Sequence, residues 1–214
     1  MIAEEEPDLD TIRPDLAAVI EAHSFTLDEN RPDAVERRRQ KNRRTARENI
    51  DDLLDTGSFR EYGALTYAAQ KSRHSVEDLV RRTPADGFIA GLGKVNNHLF
   101  GEKKARCMVM AYDYTVLAGT QGMNSHKKLD RVIEVAGELK LPVVLFAEGA
   151  GGRPGDMDAN IVAGLDLLSF TRFAALNGKA PLIGILEGPC FAGNACLLGF
   201  CDVIIATEHA NLGM

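Results

Sequence analysis

Two glycine-rich segments contain the residues of this sequence that best suit chemistry on a bound ligand. Residues 148–155 (EGAGGRPG) and residues 188–194 (GPCFAGN) each follow a short apolar run directly. Glycine lets backbone N–H groups approach a ligand without a Cβ in the way. If the two segments follow neighbouring strands, they can point two N–H donors at one oxygen, which is the geometry of an oxyanion hole.

Other chemistries find less support in these two segments. The first segment fits the dinucleotide-binding pattern GxGxxG at Gly149 and Gly151, but Pro154 takes the place of the third glycine. Neither segment contains a serine, and the sequence has no GxSxG pattern of the kind that presents a nucleophilic serine. Nothing therefore favours acyl-enzyme chemistry. A purely structural interpretation, in which both segments are tight strand-to-helix turns, stays open at this point.

Short buried strands that alternate with helices must position the two segments. An apolar face with Ser125 as its cap predicts one helix. A second helix is expected over residues 160–176, with Gly178 as its stop, and a shorter third helix begins near Gly193. Alternation of strands and helices predicts a parallel α/β sheet. Its ligand crevice lies at the carboxyl ends of the strands, where both glycine segments fall. Runs rich in Val, Ile and Leu predict strands buried on both faces at residues 88–90, 107–112, 142–147, 181–186 and 203–206.

The N-terminal part of the chain has a different character. Residues 1–30 are polar and acidic and predict a loosely attached arm, whereas one helix is predicted from Pro32 to Leu54, with Gly57 just beyond its end. The middle of this helix is dense in basic residues. They form either a solvated face or a phosphate-binding stripe, because clustered guanidinium groups bind phosphate by paired hydrogen bonds. The basic residues are Arg37, Arg38, Arg39, Lys41, Arg43, Arg44 and Arg47.

The composition narrows the class of protein further. With 214 residues, 45% of them hydrophobic, and a formal net charge of −6, the chain is expected to form one globular core that coats neither nucleic acid nor a membrane. The acidic N-terminus does not resemble a signal peptide, and no apolar run is long enough to span a bilayer. The expected location is the cytoplasm. Buried, reduced thiols and no structural metal are expected for Cys107, Cys190, Cys196 and Cys201.

Five stretches of the sequence resemble a known family in their order and spacing. Residues 181–207 (PLIGILEGPCFAGNACLLGFCDVIIAT) resemble the crotonase superfamily pattern of strand, glycine-rich turn, buried helix and strand. All five together resemble the carboxyltransferase subunits of biotin-dependent acetyl-CoA and propionyl-CoA carboxylases, over about residues 32–214. The other four are RRTARENIDDLLDTGSFREYG (43–63), DGFIAGLGKVNNH (86–98), AYDYTVLAGTQGMNSHKKLDRV (111–132) and EGAGGRPGD (148–156).

This resemblance implies both a fold and a reaction. The fold is α/β and crotonase-like, a ββα superhelix over residues 31–214 that forms the N-terminal half of a carboxyltransferase domain and stops before the second half. The reaction moves CO₂ from carboxybiotin on a carrier protein to the α-carbon of an acyl-CoA through an enolate. The implied partners are a biotin carboxylase, a biotin carboxyl carrier and the C-terminal carboxyltransferase half, in a homo- or hetero-oligomer.

The resemblance also implies site residues. Matching motifs place oxyanion donors at Gly151, Gly152 and Gly193, with Ala192 and Asn194 beside them. Substitution of Gly193 by valine is expected to block the site and leave the core folded. Arg153 is interpreted either as the arginine of the family turn or as a surface residue at a helix start. His126 and Lys128, which open the helix predicted after Ser125, are interpreted either as solvated first-turn residues or as CoA contacts. The acyl-CoA contacts implied are Arg43, Arg44, Arg47, His126, Lys128, Ala150 and Arg153.

Three alternatives to the carboxyltransferase are weighed. A hydratase is disfavoured, because Cys196 stands where a hydratase would have its catalytic glutamate, and a neutral thiol is a poor proton shuttle. A decarboxylase-type relative that acts on malonyl or glutaconyl thioesters remains open. So does a non-catalytic module that binds CoA or serves as a scaffold.

Overall fold

A six-stranded sheet forms the centre of the computed structural model, which describes residues 12–158 and 167–214. The order of its strands is β1-β2-β3-β4-β5-β7, and all five predicted strands are confirmed. β3, β4, β5 and β7 run parallel, whereas β1, β2 and β3 pair antiparallel, so the predicted parallel sheet is confirmed for four strands only. The strands are β1 (Arg60–Glu61), β2 (Phe88–Lys94), β3 (Arg106–Tyr112), β4 (Val143–Phe146), β5 (Leu182–Leu186) and β7 (Val203–Ala206); β6 (Pro189–Phe191) pairs with β8 (Asn211–Gly213) in a second, smaller sheet.

Helices cover both faces of the central sheet. α7 (Met123–Leu139) packs one face through its apolar stripe, and α8 (Ser169–Ala174) and α9 (Gly193–Gly199) contribute to the same core. α3 (Ala46–Leu53) covers the other face through Ile50. The expected cap of α7, Ser125, lies inside its first turn, where its Oγ accepts a hydrogen bond from Gly122 N–H at 2.8 Å. The other helices are α1 (Pro14–Ser24), α2 (Pro32–Arg39), α4 (Val76–Arg82), α5 (Asn97–Phe100) and α6 (Glu102–Ala105).

The prediction of one long helix from Pro32 to Leu54 is wrong. The chain breaks between α2 and α3, with Asn42 in the left-handed region at φ 53°. Thr45 then starts α3 with a capping box: its Oγ1 accepts Glu48 N–H at 3.1 Å, and Glu48 Oε2 accepts Thr45 N–H at 2.8 Å. The capping box satisfies N–H groups at the start of a helix, so it favours a new helix over continuation of the old one.

Two other expectations change in the structure. The strand over residues 203–206 is expected to be buried on both faces, but Val203, Ile204 and Ile205 are about half exposed, because β7 is an edge strand of the described sheet. Cys107 and Cys190 are buried as expected, while Cys196 and Cys201 are partly exposed, and all four are free thiols.

Parts of two predicted segments lie outside the described residues. Within the acidic arm, residues 1–11 are outside and α1 begins at Pro14, with none of its side chains buried. Within the helix expected over residues 160–176, residues 159–166 are outside, and α8 accounts for the rest. Gly178, at φ 75°, follows that helix as expected. Across residues 12–158 and 167–214, no helix combines the length and the apolar character that a bilayer crossing requires.

Candidate active site

The two glycine-rich turns lie side by side at the carboxyl edge of the sheet, as the sequence predicts. They follow β4 and β5, which are neighbouring parallel strands. Gly149 N–H donates to Pro189 O at 2.8 Å, and Phe191 N–H donates to Gly149 O at 2.9 Å. Further along, a Cβ placed on Gly151 would lie only 2.8 Å from Ala192 Cβ. Main-chain hydrogen bonds and close packing therefore join the two turns into one surface.

Several backbone N–H groups of this surface are already used inside the protein. Gly151 N–H donates to Asn194 Oδ1 at 3.0 Å, so this expected oxyanion donor is engaged. Ala192 N–H donates to Gly213 O, and Ala150 N–H donates to Ala118 O, each at 3.0 Å. Asn194 itself is fully buried, and its Nδ2 donates to Gly119 O at 3.4 Å. Asn194 therefore holds the first turn in place and does not face a ligand.

Two N–H groups of the same surface remain available. Within the described residues, neither Gly152 N–H nor Gly193 N–H donates to a protein acceptor. Gly152 is exposed, and Gly193 is the partly exposed first residue of α9. The residue before it, Ala192, has φ 49° and ψ −117°, a conformation that costs a residue with a Cβ about 1–3 kcal/mol. Such strain is common where the backbone is held for function.

Gln121 lies against both turns, and the sequence analysis missed it. Its main chain pairs with the first turn: Gln121 N–H donates to Gly151 O at 2.7 Å, and Arg153 N–H donates to Gln121 O at 2.9 Å. Its side chain reaches the second turn. A Cβ on Gly193 would overlap Gln121 Oε1 and lie 3.2 Å from Phe170 Cζ. The expectation for Gly193→Val is therefore corrected, because the valine would displace Gln121 and Phe170 as well as a ligand.

Of the three arginines of the basic segment that are expected to bind CoA, Arg43, Arg44 and Arg47, two have internal partners. Arg43 Nη1 lies 3.0 Å from Glu148 Oε1, and Arg38 binds the same carboxylate through both of its terminal nitrogens. Arg47 pairs with Glu61 at 3.0 Å. The break between α2 and α3 causes this arrangement, since it turns residue 43 from a helix face into a loop that lies on the first glycine turn.

Arg44 differs from the other two, because it lines an open cavity. Its side chain is 46% exposed and lies 3.0 Å from Asp52 Oδ2. The cavity has a volume of about 510 Å³ and is lined by residues of α3, by residues at the carboxyl ends of β3, β4, β5 and β7, and by two residues that follow β2. Its lining combines apolar with polar and charged side chains. Its lining includes Arg44, Asn49, Asp52, Leu53, Val95, Asn96, Tyr112, Tyr114, Phe146, Ile185, Glu187 and Thr207.

Arg153 is buried between two carboxylates and is neither a surface residue nor free to bind CoA. Its side chain is 3% exposed and pairs with Asp86 and with Asp156, both of which are buried. Its Nη2 also donates to Thr120 O at 2.8 Å. Burial raises the pKa of Asp86, and the nearby Arg153 opposes that rise. The arginine of the first turn therefore fixes the turn to the core.

His126 and Lys128 are also buried, contrary to both interpretations of these residues. His126 Nδ1 lies 3.0 Å from Ser169 Oγ, which in turn donates to Asp130 Oδ1 at 2.6 Å, and burial lowers the pKa of His126. Lys128 Nζ donates to Ala85 O at 2.9 Å and to Gly63 O at 3.2 Å. Burial lowers the pKa of Lys128 to about 8. Both side chains fix α7 to neighbouring segments.

The lowered pKa of Lys128 predicts a pH-dependent stability. Between about pH 8 and pH 10.5 the unfolded chain binds a proton that the folded chain does not, so this group makes unfolding free energy rise with pH. Below pH 8 the cost of the buried charge is fully present, and about 2–3 kcal/mol of it is removed between pH 7.5 and pH 10. We expect the stability of Lys128→Met relative to wild type to fall by that amount between pH 7.5 and pH 10, as measured by urea unfolding.

The neighbouring lysine supplies the control for this prediction. Lys127 is exposed on the same helix, and Lys127→Met should follow the wild-type pH profile. The four cysteines are present in wild type and in both variants, so their titration cancels when the unfolding free energy of a variant is compared with that of wild type. Parallel profiles for Lys128→Met and wild type would show that the buried lysine does not titrate below its ordinary pKa.

Metal ligation finds no support among the described residues. Over residues 12–158 and 167–214, no three His, Cys, Asp or Glu side chains are grouped closely enough to hold a metal ion.

Comparison with known proteins gives consistent matches. A family model described as the carboxyl transferase domain matches residues 37–214. The chain is 29% identical over 208 residues to the propionyl-CoA carboxylase beta chain of Saccharopolyspora erythraea, which covers 96% of the chain and 36% of that protein. The chain thus spans about a third of the length of this relative.

Two solved structures have a similar fold. A single-chain, multi-domain long-chain acyl-CoA carboxylase is 60% identical, with a TM-score of 0.90 over 95% of this chain and 20% of that chain. The transcarboxylase 12S structure, described as a hexamer assembly with hydrolysed methylmalonyl-coenzyme A bound, is 26% identical. Its TM-score is 0.69 over 95% of this chain and 37% of that chain.

Proposed function

The chain belongs to the carboxyl transferase domain family, and from this premise we propose that it forms the acyl-CoA-binding half of a biotin-dependent carboxyltransferase. One observation carries the proposal. The two glycine turns adjoin at the carboxyl edge of the sheet and leave two N–H groups, those of Gly152 and Gly193, without protein acceptors among the described residues. A thioester oxygen between them would receive two hydrogen bonds.

These donors serve a reaction in which charge develops on the thioester oxygen. Loss of the α-proton of an acyl-CoA leaves an enolate, whose oxygen is far more negative than that of the starting thioester. Backbone donors held in place before the reaction stabilise this charge without reorganisation, so they bind the enolate more strongly than the substrate. Carboxybiotin releases the CO₂ that the enolate attacks, and the ureido nitrogen freed by that release accepts the α-proton. Gly152 N–H and Gly193 N–H are the donors that we assign to this role.

The cavity beside the turns suits the nucleotide end of the acyl-CoA. Its volume, about 510 Å³, accommodates a nucleoside, and part of its lining is apolar. Arg44 is the one of the three proposed CoA arginines that lines this cavity. Its pairing with Asp52 is half exposed, so a phosphate can displace the carboxylate at small cost. Because the relative that is 60% identical is a long-chain acyl-CoA carboxylase, we also propose a long acyl chain as the substrate class.

The complete reaction requires partners. We propose a biotin carboxylase, a biotin carboxyl carrier protein and a C-terminal carboxyltransferase half, because the chain spans only 36% of a relative that is a carboxylase beta chain. The exposed apolar side chains of the edge strand β7 support a protein neighbour on that side of the sheet. An oligomer is proposed on the basis of the relative whose structure is described as a hexamer.

Calorimetric titration of the chain tests the proposal directly. We expect propionyl-CoA and decanoyl-CoA to bind, the longer chain more tightly, and Arg44→Met to weaken both by about tenfold, since a hydrogen-bonded charge is lost. Arg39→Met is the matched control, because Arg39 is equally exposed and paired with Glu48, but lies outside the cavity lining. Absence of binding by the folded chain would contradict the proposal.

A second assay separates the carboxyltransferase from the decarboxylase alternative. Both reactions pass through the same enolate, so binding alone does not distinguish them. Incubation with methylmalonyl-CoA in the absence of biotin does. Release of CO₂ under those conditions would favour the decarboxylase, whereas binding without CO₂ release is expected for the carboxyltransferase.

A further inference from the structure

We propose that the carboxamide of Gln121 is a third oxyanion donor beside Gly152 and Gly193. The inference rests on the proposed function, because it concerns the same acyl-CoA site. Nothing in the sequence marks Gln121, which stands between a threonine and a glycine in a loop before α7. The structure brings it to the site through contacts with both glycine turns.

The main chain of Gln121 places its side chain between the two backbone donors. Hydrogen bonds from Gln121 N–H to Gly151 O and from Arg153 N–H to Gln121 O hold it directly beside Gly152. Its side chain then extends to the second turn, where a Cβ on Gly193 would lie 3.0 Å from Gln121 Cδ. The carboxamide thus occupies the space between the first turn and the start of α9.

The side chain of Gln121 is buried, and one end of its carboxamide lacks a partner. The residue is 4% exposed, and its Nε2 donates to Tyr112 Oη at 3.0 Å. Among the described residues, no donor contacts the other end of the carboxamide, which faces Gly193. Within the part of the chain that the structure describes, Asn97 Oδ1 is the one side-chain N or O atom that is both fully buried and without a partner, so solvent reaches the open end of Gln121. A ligand beside Gly193 can therefore replace water at this end of the carboxamide.

Tyr112 allows this end of the carboxamide to become a donor. A tyrosine hydroxyl both accepts and donates, so it binds either end of the amide. Rotation of the carboxamide by 180° about its last bond directs Oε1 to the hydroxyl proton and Nε2 to the site. Burial raises the pKa of Tyr112, which keeps that proton in place. With a negative oxygen between the turns, this orientation satisfies both ends of the amide.

The test compares a ground-state ligand with a mimic of the enolate. Propionyl-CoA is the first probe, and the nitronate form of S-(2-nitroethyl)-CoA, which carries negative oxygens near the position of the enolate oxygen, is the second. Gln121→Leu removes the donor with little change in volume. We expect it to change the Kd for propionyl-CoA by less than about twofold and to weaken nitronate binding by about 100-fold, the size reported for loss of one oxyanion donor.

Two further variants separate a donor role from a structural one. Gln121→Glu is closer in shape to the wild type than leucine, yet it places a carboxylate beside the oxyanion. Weaker nitronate binding for glutamate than for leucine is therefore expected if the side chain lies beside the oxyanion, and the reverse order would show that it does not. Tyr112→Phe removes the anchor of the amide and should weaken nitronate binding about tenfold more than propionyl-CoA binding, and it serves as the test if Gln121→Leu does not fold.

The outcomes distinguish this inference from the proposed function. If wild type binds propionyl-CoA and the Gln121 and Tyr112 variants affect both probes equally, or neither, then Gln121 is not an oxyanion donor although the acyl-CoA site stands. If wild type binds propionyl-CoA but the nitronate no more tightly, the inference also fails. If folded wild type binds neither probe, the proposed function fails and this inference fails with it.

Discussion

Substitution of Arg153 by methionine is expected to lower the unfolding free energy by about 3–5 kcal/mol at neutral pH, the typical cost of removing one partner from a buried ion pair. The side chains of Arg153, Asp86 and Asp156 are all 3% exposed or less. Methionine fills much of the volume but leaves both carboxylates without a counter-charge. Asp86 and Asp156 also accept the N–H groups of Ser125 and Met123, so the damage reaches the start of α7.

The loss in Arg153→Met should shrink as the pH falls. Burial raises the pKa of Asp86 above its ordinary value of 3.8, and loss of the guanidinium removes the charge that opposes this rise. Between 3.8 and the raised pKa of Asp86 the folded variant binds a proton that the unfolded chain does not, so its unfolding free energy increases as pH decreases. Urea unfolding at pH 7 and pH 4.5 measures the difference from wild type.

A surface arginine provides the control for this prediction. Arg131 pairs with Glu134 on an exposed face of α7, and exposed pairs contribute about 0–1 kcal/mol. Arg131→Met should therefore differ little from wild type at either pH. A loss of less than about 1 kcal/mol in Arg153→Met would mean that the two aspartates find other partners, and would contradict the described arrangement of the first turn.

Substitution of Gly149 by alanine is expected to separate the two glycine turns. A Cβ at this position would overlap the Asn194 carboxamide and lie 2.5 Å from Gly119 O, which is backbone and cannot rotate away. Overpacking of this kind costs about 1–3 kcal/mol. Because Asn194 holds Gly151 N–H, its displacement also moves Gly152, and we expect acyl-CoA affinity to fall by at least about tenfold.

The matched control is the same substitution three residues later. A Cβ on Gly152 has no atom within 4 Å, and its φ is not positive, so Gly152→Ala should retain the wild-type unfolding free energy. Urea unfolding and calorimetric titration with propionyl-CoA measure both effects. If Gly149→Ala binds acyl-CoA like wild type, the contact between the turns is not needed for the site, and the role of Asn194 is wrong.

Two kinds of residue build the site. Glycines bring backbone donors to one place, and buried polar side chains from distant segments hold them there: Asn194 joins the turns, Arg153 fixes the first turn to Asp86 and Asp156, and Glu148 anchors it to Arg38 and Arg43. These side-chain hydrogen bonds and ion pairs are largely buried, so water competes little for their polar atoms. The donors themselves remain at the surface, where a substrate can reach them.

Local features of the sequence were sufficient for the positions of the strands and of both glycine turns. Short apolar runs and the freedom of glycine are properties of a few consecutive residues, and they persist whatever the rest of the chain does. The break between α2 and α3 has a local signal as well, because Thr45 and Glu48 form a capping box that marks the start of a new helix. Basic residues continue on both sides of Thr45, which favours the prediction of a single helix.

The partners of the polar residues depend on the folded chain. Arg38 and Glu148 are 110 positions apart, and Gly151 and Asn194 are 43 apart. No periodicity or spacing relates such residues, because only the packing of strands and helices brings them together. Arg43, Arg153, His126 and Lys128 therefore have internal partners, although their residue types suit ligand binding. For the same reason Gln121, unremarkable in its own segment, lies between the two turns.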